Sequence, residues 1–214
     1  MGSRWLSALL AAAGCAIGLL FTWLIAFSDA GVRADQRIYV ELAERRPAWG
    51  ADFALHATHL VAPARFLVLV CIVLAIPLVR RRWLAAVAGV AVIIGANLTT
   101  QLLQEITYGD RVVFLMPRAY WPSGHTTAVV SLALALLLGV PKPMRPLAAA
   151  AVVIAAAVMG WAVVVVATHL PSDVVAAVFV CGIWASLAVA GLVAVADRRS
   201  PSPPMRGAAP PGPR

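Results

Sequence analysis

Long apolar runs, interrupted at short intervals by charge, proline and glycine, set the pattern of this chain. Windows of about twenty predominantly apolar residues, the length that crosses a bilayer core, recur six times, at about 5–27, 61–79, 83–104, 124–140, 147–167 and 173–196. Lipid offers the backbone no water to bond, so such runs must be helices. The pattern therefore predicts an all-α integral membrane bundle of six transmembrane helices. The polar windows between the runs differ in kind. RRR at 80–82 and PKPMRP at 141–146 read as tight turns. Residues 28–60 are too polar for lipid, yet DQRIYVELAERR keeps an apolar face, and a short interfacial helix is expected in this first external loop. From Asp197 onward Pro, Ser and Arg dominate, so a disordered tail over 197–214 is expected behind a transmembrane domain spanning 1–196. The first apolar run is longer than the roughly 7–15 residues of a signal-peptide core and reads as a retained helix. Within it Gly14 and Gly18 form a GxxxG spacing that lets another helix approach closely.

Composition sharpens this picture: 62% of the 214 residues are hydrophobic and 12% charged, more apolar surface than one soluble core can hide. A net charge of +8 invites a nucleic-acid reading, but the distribution of the charges argues against it. In the six-helix arrangement Arg4, Arg80, Arg81, Arg82, Lys142, Arg145 and the arginines of the tail fall on one side, with Asp197 as the lone acid there. By the positive-inside rule that side, with both termini, is cytoplasmic, and the other face is extracytoplasmic and nearly neutral. Trp5 and Trp83 fit the inner interfacial belt, and Tyr120 and Trp121 the outer one. Cys15, Cys71 and Cys181 fall inside the spans as small apolar residues, with neither disulfide nor metal site expected from them.

Candidate chemistry gathers on the outer side. His125 follows Pro122, Ser123 and Gly124 at the head of the fourth span, and His169 opens HLPSD ahead of the sixth. A helix N-terminus presents free N–H groups and the positive end of its dipole, a natural anion cradle. Proline and serine suit that start, and glycine lets a phosphate approach the backbone. A histidine placed there can protonate a departing oxygen. His169 and Asp173, four residues apart, can share one side of a helix start, so that the carboxylate takes one imidazole N–H and leaves the other nitrogen as a nucleophile. Together these residues read as a phosphoryl-transfer site. His56 and His59 read as interfacial packing. Asn97, Thr99, Thr100 and Gln101 give the third span a polar end suited either to the site or to helix-to-helix bonding.

These residues resemble a known family, the type 2 phosphatidic acid phosphatases, membrane lipid phosphatases related in fold to the vanadium haloperoxidases. That family carries KxxxxxxRP, then PSGH, then SRxxxxxHxxxD. PSGH is complete at Pro122 to His125, and His169 and Asp173 stand at the third motif's interval. The resemblance implies a metal- and cofactor-independent phosphatase acting on a lipid phosphomonoester or diphosphate, phosphatidate-type or polyprenyl diphosphate, at the extracytoplasmic face. It implies attack by His169, orientation by Asp173, protonation of the leaving group by His125, and phosphate held by Ser123 and Gly124. The alternative is a weak or inactive relative that binds a phospholipid headgroup or a membrane partner.

Two motifs depart from the family pattern. The third-motif serine and arginine fall at Ala162 and Val163. The first motif fits two registers: one sets Gln104, Arg111 and Val112 at Lys, Arg and Pro, the other sets Arg111, Arg118 and Ala119 there. Arg111 is retained in either register and Arg118 takes a motif position only in the second; both are candidate phosphate-binding cations.

Overall fold

The structure, a computed structural model, describes residues 3–109 and 120–199. Its elements are helices: α1 (Ser3–Ala26), α2 (Asp29–Glu44), α3 (Gly50–His59), α4 (Pro63–Val79), α5 (Trp83–Ile106), α6 (Gly124–Gly139), α7 (Arg145–Val165) and α8 (Pro171–Arg199), with a 3₁₀ turn at Lys142–Met144. Every apolar window of the sequence becomes a helix, and the protein is a multi-pass membrane protein. The span count is less uniform than the pattern predicts. α1, α5, α7 and α8 are long and apolar enough to cross a membrane. α3 and α4, bent by 66° against each other, make a fifth span if taken as one broken helix, while α6 has only sixteen residues. At 1.5 Å per residue α6 runs about 24 Å, short of a bilayer core of about 30 Å.

The segment between α1 and α4 also differs from the single short helix expected. It forms two helices, α2 and α3, separated at Arg45–Trp49, where Pro47 lacks an N–H and pushes Arg46 out of helical geometry. Both are packed on α7. α3 packs on α7 through Ala54, Ala57, Ala162 and Val165, and Trp49 and Phe53 meet Trp161. α2 sends Tyr39 and Leu42 onto Met159, Val163 and Val164 of α7. At the other end of the chain α8 continues through Arg199, past the expected start of the tail, and 200–214 lies outside the described residues.

Small residues set the helix spacing. Gly18 of α1 lies against the Phe179 ring of α8, and Gly182 of α8 lies against Cys15 of α1, so α1 and α8 approach where a larger side chain would collide. Gly14, the other half of the GxxxG spacing, faces open space, so the close contact belongs to Gly18 alone. Gly95 of α5 receives the Trp184 ring of α8, whose indole N–H donates to Thr99 Oγ1 at 3.0 Å. Between α5 and α6 the contact is polar. Thr100 and Thr127 share a hydrogen bond of 2.8 Å, and Asn97 donates to Ser131 at 3.1 Å. These bonds satisfy groups that lipid would leave bare. At the far end Arg82 donates to the Gly139 and Val140 carbonyls, both at 2.9 Å, capping the C-terminus of α6. Trp121 is a further correction: at 2% exposure it belongs to no interfacial belt but is buried among Ala26 and Ala176, edge-on to Phe27.

Candidate active site

The heads of α6 and α8 meet. The Ser123 N–H donates to the Asp173 carbonyl at 3.0 Å, so the two helix starts are tied through backbone. The segment leading into α6 is held by the end of α5: Gln104 donates to the Pro122 carbonyl at 2.6 Å, and Thr107 to the Trp121 carbonyl at 3.1 Å. Ser123 is fully buried, and its hydroxyl caps α6 by accepting from the Thr126 N–H at 3.4 Å. His125, one residue beyond Gly124, is left half-exposed.

His169 precedes α8 and is almost wholly buried. Its Nδ1 lies 3.1 Å from the Tyr120 carbonyl and 3.4 Å from Asp173 Oδ2. Both neighbours are acceptors, so Nδ1 carries the proton, and a neutral His169 keeps its lone pair on Nε2. Asp173 has no exposed surface and is itself held by the Leu170 N–H at 2.8 Å. The His125 and His169 rings stand 6.3 Å apart, centroid to centroid. Both line one cavity of about 350 Å³, together with Gly124, Tyr120 and Val61. Asn97, Thr100, Gln101 and Gln104 form its other wall, one face of α5 at helical spacing. Of the polar residues that the sequence left open between two roles, Asn97, Thr100 and Gln101 face this cavity, and Thr99 turns instead to Trp184.

The two helix N-termini are not equivalent. At α8 the carboxylates of the protein occupy the anion position: Asp173 takes the Leu170 N–H, and Asp35 of α2 takes the Ser172 N–H at 3.1 Å and its hydroxyl as well. At α6 the amides of Gly124 and His125 form no hydrogen bond among the described residues and lie beside the cavity. An incoming anion therefore meets α6 rather than α8. Asp35 went unnoticed in the sequence, where its only signal is an acid in the middle of an amphipathic helix; the structure buries it at 6% exposure.

Val163, at the third-motif arginine position, has no exposed surface and packs in the cluster that includes Val61, while its carbonyl accepts from Thr168 and His169. Gln104, at the first-motif lysine position in one register, lies on the cavity wall, its Nε2 close to Gly124. Arg111 and Arg118 lie outside the described residues. His56 and His59 are exposed on α3, His56 Nδ1 being 2.7 Å from the Asp52 carbonyl. Among the described residues no three His, Cys, Asp or Glu side chains converge as metal ligands.

Comparison with known proteins gives a family and a fold. The family model described as the PAP2 superfamily matches residues 50–195. Among solved structures the chain is similar to one described as the first transmembrane PAP2-type phosphatidylglycerolphosphate phosphatase from Bacillus subtilis, with a TM-score of 0.61 and 22% sequence identity over 86% of this chain and 96% of that one. At that identity the likeness is one of fold. Comparison with curated proteins gives no match.

Proposed function

The chain belongs to the PAP2 superfamily, and from that premise we propose that it is a membrane lipid phosphatase working through a phosphohistidine on His169. The observation that carries the reading is the His169–Asp173 pair facing His125 across one cavity. With Nδ1 committed to Tyr120 and Asp173, Nε2 attacks phosphorus. The phosphorus–oxygen bond to the lipid breaks as His125 gives its proton to the leaving oxygen. His125 then takes a proton from water, the hydroxide opens the phosphohistidine, and phosphate departs with both histidines restored. The Asp173 carboxylate stabilises the positive charge that His169 acquires in the first step. No step calls for a metal.

The phosphate oxygens accept from the Gly124 and His125 amides at the positive end of α6, with Ser123 fixing the geometry of that helix start. Arg111 and Arg118 are the proposed cationic partners of the phosphate. The substrate is a lipid phosphomonoester or diphosphate: phosphatidate, phosphatidylglycerol phosphate and a polyprenyl diphosphate all present the terminal phosphoryl group that this chemistry needs. The site opens to the extracytoplasmic face, by the charge asymmetry of the loops.

A second reading, a headgroup-binding relative with little turnover, draws on Val163, which fills with packed hydrocarbon the position where the family carries a cation. Metal-free phosphate release in detergent separates the two. Release from phosphatidate or a polyprenyl diphosphate that disappears in His169→Ala is expected. Folded protein that releases phosphate from neither substrate transfers the case to the headgroup-binding relative.

A further inference from the structure

The end of the bundle opposite the histidines holds a second polar centre. Arg81, Arg145 and Arg199, from the α4–α5 turn, the head of α7 and the tail of α8, line one cavity of about 520 Å³ together with Arg82. Arg81 takes a left-handed backbone conformation (φ 54°) as the turn into α5 brings it to this cavity. Arg82 is committed to the carbonyls at the end of α6. The other three make no ion pair among the described residues. The rest of the lining is largely apolar, with Leu84, Leu138 and Leu192, and with Trp83, itself exposed. A second cavity of about 420 Å³ shares Arg145, Leu138 and Leu192 with the first, so the two form one groove on either side of Arg145. Asp197, the single acid at this end, lines only the second cavity.

Arg81, Arg145 and Arg199 are exposed, so water screens much of their mutual repulsion, and an anion held among them would draw on the attraction of all three. A soluble anion would satisfy the charges and leave the leucines unused. A glycerophospholipid satisfies both, its phosphodiester among the arginines and its acyl chains along the leucines, with the Trp83 ring at headgroup level. We propose that this groove is a binding site for an anionic glycerophospholipid, separate from the catalytic cavity and independent of the reaction assigned to it.

Trp83 supplies the probe. The protein is placed in phosphatidylcholine vesicles carrying a small fraction of brominated phosphatidylglycerol or, in parallel, the same fraction of brominated phosphatidylcholine. The Trp83 signal is the difference between the wild type and Trp83→Phe. Stronger quenching by the anionic lipid is expected, and its preference should fall by about fivefold for each charge removed through Arg81→Gln, Arg145→Gln and Arg199→Gln. Arg145→Lys, which keeps the charge, should retain most of the preference, and circular dichroism checks that each variant is folded. Equal quenching by the two lipids overturns the proposal and leaves the arginines as markers of orientation. Loss of the preference on adding inorganic phosphate at constant ionic strength overturns it too, in favour of a soluble anion.

Discussion

At the residue scale the chemistry turns on which nitrogen of His169 holds the proton. Two acceptors at Nδ1 decide that, and the rate law follows. In the proposed mechanism His169 must be neutral to attack, and His125 must be protonated to release the lipid. Acid disables the nucleophile and alkali disables the general acid, so kcat/KM should follow a bell-shaped pH profile. A rate that climbs steadily through the neutral range would remove His125 from its role. That role also depends on the leaving group, because a lipid alkoxide needs its proton far more than a departing phosphate does. His125→Ala should slow phosphatidate hydrolysis by about 10²–10⁴-fold and polyprenyl diphosphate hydrolysis by less. Equal losses on both substrates would point to binding instead. Val163 makes the opposite kind of prediction. Val163→Arg, which restores the family's residue, places a guanidinium in an apolar cluster with no surface exposure. An unpaired buried charge costs several kcal/mol, so the thermal midpoint should fall and activity should not rise. A variant as stable as the wild type and faster would show that the cluster opens a path from this position to the cavity.

At the scale of elements the site depends on how α2, α5, α6 and α8 meet. α2 lies ahead of the region matched by the family model, yet its Asp35 anchors the first turn of α8 through Ser172, the residue before Asp173. Removing that carboxylate takes one acceptor each from a buried N–H and a hydroxyl, at about 1–3 kcal/mol. Asp35→Ala should therefore lower the thermal midpoint and reduce kcat more than it changes KM. Asp35→Asn, which keeps an acceptor oxygen, should recover much of both. Asp35→Ala with wild-type midpoint and kcat would make the contact incidental. The Gln104 and Thr107 bonds to the segment before α6 work in the same way, holding the PSGH backbone from a helix that contributes no histidine.

At the scale of the whole molecule, the cavities at the two ends of the bundle differ in character: histidines and neutral polar side chains line one, arginines the other. Orientation in the membrane therefore decides which leaflet presents substrate. Reporter fusions after Lys142 and after Arg118 should report opposite sides, with Lys142 in the cytoplasm. Two cytoplasmic signals would overturn the outward-facing site.

The sequence by itself determined the helical membrane class, because twenty apolar residues in lipid have no other way to satisfy their backbone. It also determined the helix starts at PSGH and near HLPSD, since Pro, Ser and Asp act on the backbone within one turn. Those motifs are local and carry their chemistry with them. What spacing along the chain cannot encode is which side chains meet across the bundle. The motifs suggested that His125 and His169 share a site, but tertiary structure decided the distance between them, turned Asn97, Thr100 and Gln101 rather than Thr99 to the cavity, brought Asp35 to α8 and packed Val163 among apolar side chains. It also folded residues 28–60 into two packed helices and buried Trp121, because each acquired an apolar partner from a helix distant in sequence. Burial of that kind depends on the neighbours a fold supplies, and hydropathy read one residue at a time contains no record of them.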